Sequence, residues 1–231
     1  DEATRIGAVA VYTETTSLDS MVAELVGVSL AVEPGRACYI PLGHRKAGGQ
    51  GTFDLGDGGN GDGDDEMPKQ IPMAEALAIL KPMLEDPGVL KVGQNIKYDR
   101  QVLVRQGIDV APIDDTMLLS YVLEGGLHGH GMDELAQLFL DHTPIKFSEV
   151  TGSGKNQITF DQVPLDKALD YAAEDAEVTL RLHRLFKPRL TEEHMVTVYE
   201  TLERPLVAVL EAMERRGIKV DAPVLKGLSD D

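Results

Sequence analysis

Short apolar runs in the first part of the chain predict a sheet. Small and β-branched residues alternate over 5–12, and apolar runs also cover 25–32, 37–41 and 89–92, so we expect a strand in each. Glu33-Pro34-Gly35-Arg36 supplies turn-forming residues between the second and third runs. Those two strands should therefore pair as a hairpin.

Helical spacing of apolar positions governs most of the remaining chain. It predicts helices over 72–84, 96–106, 132–140, 164–185 and 191–216. A further helix should run to residue 122 from a cap at Asp114 or Asp115, and Pro205 should interrupt the last helix. Strands first and mainly helices afterwards favour an α/β fold in which helices pack against one sheet.

Residues 44–70 follow neither spacing. The stretch holds eight glycines and six acidic side chains, and it has few apolar residues that could pack. Such a composition cannot bury enough apolar surface to offset the entropy of ordering the chain. We therefore expect a mobile surface loop there.

Composition is that of an ordinary globular protein. The 231 residues, 42% of them hydrophobic, suffice for one sizeable domain and an appendage. No apolar run approaches the roughly 18 residues of a membrane span, and the polar start is unlike a signal peptide. Cys38 is the only cysteine, which excludes an internal disulfide and a multi-cysteine zinc site. We expect a cytoplasmic protein without membrane contact, and the absence of an initiator Met indicates a fragment of a longer chain.

The formal charge of −17 argues against a broad nucleic-acid-binding surface, which is normally basic. It does not exclude nucleic acid from a single groove, because bound divalent cations would supply positive charge for phosphates locally. Four basic residues are candidate phosphate contacts, with solvated surface positions as the simpler interpretation: Lys97, Arg100, Lys146 and Lys155.

Two acidic residues stand where a strand or a helix could direct them to a shared point. Glu14 ends the first strand and shares a face with position 12, because alternate strand residues point the same way. Asp99 lies one turn into a helix for which Asn95 is a plausible N-cap. A strand-end residue and a dipole-stabilising surface acid are the structural alternatives for Glu14 and Asp99.

The long helix contributes another pair. Tyr171 and Asp175 are four residues apart, so they share one helix face, although a buried tyrosine and a solvated acid would give the same spacing. Asp114-Asp115 is best explained by helix capping. Carboxylates converging from a strand end and two helices could hold two magnesium or manganese ions, which select oxygen ligands. Two such ions can drive phosphodiester hydrolysis, with a neighbouring tyrosine orienting the attacking water.

Five stretches together resemble the 3′–5′ exonuclease, or proofreading, domain of bacterial family A DNA polymerase I. They are residues 13–19, 91–100 (KVGQNIKYDR), 115–118, 154–160 (GKNQITF) and 171–180 (YAAEDAEVTL). This combination is highly specific. The resemblance implies a ribonuclease H-like α/β fold, with a mixed sheet flanked by helices.

The resemblance also implies a domain division. The exonuclease domain would cover residues 1–190, with the Gly/Asp-rich loop at 44–70 as an insertion. Residues 203–220 (ERPLVAVLEAMERRGIKV) resemble the start of the polymerase region, so 191–231 would be a truncated helical piece of it. The partners would be the polymerase domain of the same full-length chain and a single-stranded DNA 3′ end or frayed primer terminus.

The family site combines an Asp-Glu-Asp-Asp pattern with a tyrosine. By resemblance, Glu14, Asp99 and Asp175 match three carboxylates that hold two Mg²⁺ or Mn²⁺ ions, and Tyr171 matches the tyrosine that orients water. Five further residues match positions that contact the terminal bases, contact the primer strand or support the site: Leu18, Gln94, Asn95, Tyr98 and Phe147.

Position 12 departs from that pattern, because Tyr12 stands where the family has its first aspartate, the ligand shared by both ions. A phenol with a pKa near 10 is neutral at pH 7, and its ring fills the space that the ions need. We expect a loss of about 100-fold or more in rate, hence impaired or absent cleavage. A non-catalytic module that holds DNA 3′ ends or supports the polymerase is the alternative. A related exonuclease for RNA is a third possibility, which the polymerase-like tail disfavours.

Overall fold

A computed structural model describes residues 1–45 and 69–230. Residues 46–68, which make up most of the predicted Gly/Asp-rich loop at 44–70, lie outside the described residues. The described ends of that stretch contact each other: the His44 N–H donates to the Gln70 side chain at 2.8 Å, and the Gln70 amide donates to the His44 carbonyl at 2.9 Å.

Five strands form one mixed sheet in the order β3-β2-β1-β4-β5. Their bounds are β1 Ala8–Thr15, β2 Leu25–Glu33, β3 Arg36–Pro41, β4 Leu90–Gly93 and β5 Ile113–Asp115. The first three strands pair antiparallel, including the predicted β2–β3 hairpin, whereas β1–β4 and β4–β5 pair parallel. The predicted α/β fold with a mixed sheet and flanking helices is confirmed.

Helices account for most of the remaining described residues. They are α1 Glu2–Ile6, α2 Met73–Leu84, α3 Ile96–Arg105, α4 Thr116–Glu124, α5 Met132–Leu140, α6 Phe147–Thr151, α7 Leu165–Glu192, α8 Val196–Val198, α9 Arg204–Arg216 and α10 Ala222–Asp230. Within the ranges 1–45 and 69–230, none of them is long and apolar enough to cross a membrane.

Some predicted boundaries are wrong for local reasons. The first strand begins at Ala8 rather than residue 5, because α1 precedes it. Gly7 caps the end of α1 with a φ of 82°, a left-handed conformation that suits glycine. The helix predicted over 191–216 is interrupted at 193–195 and not, as predicted, at Pro205. After α7 ends at Glu192, helical turns run without a break from α8 through a π-helical segment, Tyr199–Glu203, into α9, whose first turn contains Pro205.

Alternation along β1 separates two cores on opposite faces of the sheet. Val9 and Val11 belong to a large cluster that includes residues of α2 and α3. Ala10, on the opposite face, packs with Ala176 and Leu180 of α7. Each fully buried valine contributes about 1.5–3 kcal/mol of burial free energy. Burial of both faces therefore fixes the register of β1, and with it the direction in which position 12 and Glu14 point.

Candidate active site

The α7-facing side of β1 carries Tyr12 and Glu14. Tyr12 and Glu14 are two and four residues after Ala10, so they lie on the same face of β1 as Ala10, whose side chain packs against α7. The small residues Ala172 and Ala176 line the facing side of α7 and are completely buried, so the helix approaches the sheet closely. The strand end and the middle of α7 therefore meet at one point.

Asp99 reaches the same point from α3. Its Oδ1 accepts hydrogen bonds from the backbone N–H and the hydroxyl of Thr13, both at 2.7 Å. Burial raises the pKa of the Asp99 carboxyl to about 7, although the two bonds from Thr13 act in the opposite direction. A buried carboxylate is thus held at the edge of β1 at an energetic cost.

Glu14 and Asp175 are buried carboxyl groups with unused acceptor atoms. Glu14 Oε1 and Asp175 Oδ2 have no hydrogen-bond partner. Burial raises the pKa of both carboxyls well above the usual range, and for Glu14 the negative charges of Asp175 and Asp99 raise it further. The three predicted carboxylates are therefore close enough to repel one another.

Tyr171 stands beside this group on α7. Asp175 lies one turn further along the helix, and burial together with the negative charge of Asp175 raises the pKa of the Tyr171 phenol. Its ring contacts two phenylalanines, with centroid distances of 6.0 Å to Phe147 and 5.7 Å to Phe160. Phe147 and Phe160 are themselves stacked at 6.2 Å. Phe160 completes this aromatic cluster, and sequence analysis missed it because only its proximity in the fold marks it.

Tyr12 lies among the carboxylates. Burial raises the pKa of its phenol well above the usual range, and the charges of Asp175, Asp99 and Glu14 raise it in that order. The phenol therefore stays neutral at any physiological pH. Within residues 1–45 and 69–230, no group of three or more His, Cys, Asp or Glu side chains is arranged to hold a metal ion.

A groove of about 970 Å³ opens beside these residues. Tyr12, Glu14, Asp99 and Tyr171 line it, whereas Asp175 is buried beneath and does not. All five residues predicted to contact or support DNA also line it: Leu18, Gln94, Asn95, Tyr98 and Phe147. Leu18 is 98% exposed and Phe147 is 43% exposed, so both offer apolar surface at the groove.

Gln94 and Tyr98 are already engaged by other groups in the chain. The Gln94 amide donates to the His130 carbonyl at 2.8 Å and accepts from the Thr116 hydroxyl at 2.5 Å. The Tyr98 hydroxyl contacts the hydroxyl of Thr15 and donates to the Ser17 carbonyl. These bonds hold the two walls of the groove in place.

Capping of α3 differs from the expectation. Asn95 occupies the N-cap position with a φ of 57°, but its side chain makes no capping bond. The carboxylate of Asp115 accepts from the N–H groups of Asn95 at 2.9 Å and Ile96 at 3.0 Å, and also from Met117 at the start of α4. One side chain thus caps the two helices that follow β4 and β5, which sequence spacing does not show.

Asp114 is not the cap. This buried carboxylate accepts from His183 at 2.8 Å and Tyr199 at 3.1 Å, and it lies 3.0 Å from the Lys187 ammonium. The hydrogen bond from His183 and the positive charge of Lys187 outweigh burial and lower its pKa. Asp114 therefore ties β5 to the end of α7 and to the helical segment that follows.

Two of the four candidate phosphate contacts are already paired. The Lys97 ammonium lies 2.5 Å from Glu214, and the Arg100 guanidinium lies 2.8 Å from Glu211 in a buried ion pair. Lys146 and Lys155 are exposed. The interpretation of Arg100 as a phosphate contact is wrong, because its side chain is directed away from solvent into the contact with α9.

Known proteins with similar sequences place this geometry in context. A family model described as 3′–5′ exonuclease matches residues 1–191. DNA polymerase I of Rhizobium leguminosarum is 52% identical over 239 residues, which cover 100% of this chain. The chain spans only 22% of the length of that relative.

Solved structures agree on the fold. The POL domain of Pol1 from M. smegmatis, in complex with DNA primer-template and dNTP, superposes with a TM-score of 0.67 at 20% identity, covering 96% of this chain and 30% of that one. NrnC of Brucella melitensis with bound Mg²⁺ gives 0.64 at 20% identity, covering 95% and 92%. The fold is ribonuclease H-like. The chain belongs to the family of 3′–5′ exonuclease domains found in bacterial DNA polymerase I.

Proposed function

We propose that the groove is the site of a metal-dependent 3′–5′ exodeoxyribonuclease whose catalysis is impaired by Tyr12. The observation that carries this is the pair of buried, unpartnered oxygens on Glu14 and Asp175, which flank a neutral phenol beside a groove with exposed apolar side chains. Unpartnered buried carboxylate oxygens are costly unless something occupies them.

The donors fit divalent cations in part. Carboxylate oxygens from Glu14, Asp99 and Asp175 are the ligand type that Mg²⁺ and Mn²⁺ prefer, and a cation would relieve their mutual repulsion. Tyr12 supplies a neutral oxygen and a ring where a fourth carboxylate would be needed, so the residues present do not fit two ions. With a complete carboxylate set, two ions would activate a water and stabilise the leaving oxygen, releasing a 5′-mononucleotide.

The remaining roles belong to side chains that the structure already holds in place. Tyr171, whose ring packs against Phe160, lines the groove and would orient an attacking water with its hydroxyl. Leu18 and Phe147 offer apolar surface on which unpaired bases can stack irrespective of sequence. Gln94, Asn95 and Tyr98 support or contact the strand.

A wider setting follows from the relatives. We propose that the chain is the proofreading part of a longer DNA polymerase I, with 1–190 as the exonuclease domain and 191–231 as the helical start of the polymerase region. The DNA it receives would be a single-stranded 3′ end or a frayed primer terminus. A duplex end must melt first, since the exposed apolar contacts suit unpaired bases.

Tyr12 also favours a second function, a module that holds DNA 3′ ends without cutting them. The exposed Leu18 and Phe147 are independent of position 12, so binding can survive the loss of cleavage. Binding of a fluorescent single-stranded oligonucleotide in EDTA measures this function separately, and loss of affinity in Phe147→Ala is the expected signature.

Cleavage of a 5′-labelled single-stranded oligonucleotide with Mg²⁺ or Mn²⁺ tests the first function. We expect Tyr12→Asp to produce a 3′-to-5′ ladder at a rate about 100-fold or more above the parent. Tyr12→Asp combined with Asp175→Ala controls for contaminating nuclease and should be inactive. Equal activity in the parent and in Tyr12→Asp would show that Tyr12 does not impair the site, and inactivity of both would favour the binding module.

A further inference from the structure

Helix α9 packs along the outer side of α3, although it lies beyond the residues that the exonuclease family model matches. Val207 of α9 is buried in the same apolar cluster as Ile96 and Leu103 of α3, and specific polar contacts lie beside it. Two glutamates of α9, Glu211 and Glu214, face three side chains of α3: Lys97, Arg100 and Gln101. These three are at positions i, i+3 and i+4, so they form one stripe along α3.

Arg100 and Glu211 form the buried part of this contact. Arg100 Nε donates to Glu211 Oε2 at 3.0 Å, and Nη2 lies 2.8 Å from the same oxygen. Nη2 also reaches Asp109 at 3.1 Å, and Nη1 donates to the Val110 carbonyl. Every nitrogen of the guanidinium has a partner, so the pair is geometrically defined rather than a loose surface attraction.

Glu214 forms the more exposed part. One of its oxygens is 2.5 Å from the Lys97 ammonium, and the other accepts from the Gln101 amide at 2.6 Å. Glu214 therefore bridges two turns of α3, whose side chains it holds from the same direction as Glu211. The two glutamates together oppose rotation of α3 about its axis.

Asp99 lies on a different side of the same helix. Successive helical residues are about 100° apart, so Asp99 and Arg100 point in different directions. Asp99 is bound by Thr13 of β1, while Arg100 is bound by Glu211 of α9. A rotation of α3 that pulls Arg100 away from α9 must also move Asp99 relative to Thr13.

We propose that Glu211 and Glu214 are positioning residues for Asp99, so that the segment after the exonuclease domain sets the geometry of the site through α3. The proposal rests on the proposed function for its catalytic meaning. Release of α9 from α3 loosens the Asp99–Thr13 contact, and a chain cut before α9 has a less ordered Asp99.

The Thr13 amide reports this directly, because its N–H donates to Asp99 Oδ1 at 2.7 Å. Amide hydrogen exchange followed by NMR in EDTA, without DNA, is the experiment. Glu214→Gln is the main variant, since the Glu214 side chain is 44% exposed and Gln keeps its size. We expect Thr13 to exchange about tenfold or more faster, with the slow amides of Val9 and Val28 in the core changing less than about twofold.

Glu193→Gln is the matched control, because it removes a glutamate that pairs with Arg189 at 2.7 Å far along α7 and should leave Thr13 unchanged. Lys97→Glu combined with Glu214→Lys restores an ion pair of reversed sign and should return Thr13 towards the parent rate. Glu211→Gln should accelerate Thr13 at least as much as Glu214→Gln.

An unchanged Thr13 rate in Glu214→Gln overturns the proposal. Acceleration of Thr13 by the same factor as the core amides also overturns it, because the variant has then only lowered global stability. Glu214→Gln and the charge-reversed pair decide the matter even where Glu211→Gln does not fold. The exchange rates do not depend on cleavage, so failure of the nuclease assay and failure of this proposal are told apart.

Discussion

Thr13 donates two hydrogen bonds to a single oxygen of Asp99, one from its backbone N–H and one from its hydroxyl, both at 2.7 Å. Thr13 of β1 is thus hydrogen-bonded to the carboxylate of Asp99 of α3, which lies 86 residues further along the chain. Both bonds favour the ionised carboxylate and lower its pKa, yet burial prevails and the pKa stays near 7. The fold stabilises the charge only in part.

Thr13→Val is expected to destabilise the protein, because it removes the hydroxyl donor and leaves the buried carboxylate with the N–H alone. A hydrogen bond to a charged group is worth about 1.5–3 kcal/mol, so the free energy of unfolding at pH 8 should fall by about that amount. Urea unfolding measures it. Thr13→Ser retains the hydroxyl and should lose less than about 1 kcal/mol; equal losses in both variants would contradict the role given to the hydroxyl.

Asp99→Asn is expected to stabilise the protein at pH 8. The folded pKa of about 7 lies above the ordinary value of 3.8, so protonation of Asp99 favours the folded state. That contribution is complete below pH 4 and is lost as the pH rises through 7. Because Asn resembles the protonated acid and can accept both bonds from Thr13, the gain at pH 8 should be on the order of 2–4 kcal/mol.

Urea unfolding of Asp99→Asn and the parent at pH 4, 6 and 8 checks the sign, because the difference should grow with pH. Asp170→Asn, an exposed position on α7, is the control and should show a difference near zero at each pH. A gain that is as large at pH 4 as at pH 8 would mean that ionisation of Asp99 is not its cause.

Local spacing predicted the elements that carry the site and the faces on which Glu14, Tyr171 and Asp175 lie. The residues themselves suggested a shared metal site, and the resemblance gave each of them a specific role in it. The partners that hold the site are of another kind: Asp115 caps α3 from 20 residues away, and Glu211 binds Arg100 from 111 residues away. Such contacts depend on which helices become neighbours in the fold. The spacing of apolar residues along the chain does not predict this.

The error over Arg100 shows the same limit. A charged residue on a helix is most often solvated, and Arg100 lies next to the predicted metal ligand Asp99 in the sequence. Arg100 was therefore considered either as a solvated residue or as a contact to a DNA phosphate. The deciding fact was the position of α9, which lies beyond the exonuclease family match. Sequence patterns predict what an element presents, whereas the partner it meets follows from topology.

Gly27→Ala is expected to destabilise β2. Gly27 lies opposite Glu14 in the sheet, and the Tyr39 ring crosses over it, so an added Cβ would lie 2.2 Å from the Tyr39 hydroxyl oxygen and 2.3 Å from Cε2. The ring cannot turn away easily, because it is buried and bonded to His44 Nε2 at 2.7 Å. We expect a loss of about 3 kcal/mol in thermal or urea unfolding.

Gly131→Ala is the control for that substitution, because its φ is −71° and no atom lies within 4 Å of an added Cβ. It should change stability by less than about 1 kcal/mol, with either sign. When Tyr39 is already replaced by Leu, adding Gly27→Ala should cost less stability than Gly27→Ala costs in the parent. If Gly27→Ala alone is as stable as the parent, the Tyr39 ring can move aside.

Tyr12→Asp should lower the stability of the metal-free protein and increase the stabilisation that Mn²⁺ provides. A fourth carboxyl group beside Glu14, Asp99 and Asp175 adds repulsion between buried like charges, so the free energy of unfolding in EDTA at pH 8 should fall by about 1–3 kcal/mol. Mn²⁺ should reverse this, because an ion that binds only the folded chain adds about 2.7 kcal/mol at a concentration 100 times its Kd. Thermal unfolding with and without Mn²⁺ measures both effects without any cleavage.

Tyr12→Phe separates the ring from the hydroxyl. If the ring is what excludes the ions, Tyr12→Phe should respond to Mn²⁺ as weakly as the parent, and only Tyr12→Asp should gain. A parent that gains as much from Mn²⁺ as Tyr12→Asp would mean that Glu14, Asp99 and Asp175 bind the ion without a fourth carboxylate. The impairment that we propose for Tyr12 would then have to arise in the catalytic step rather than in metal binding.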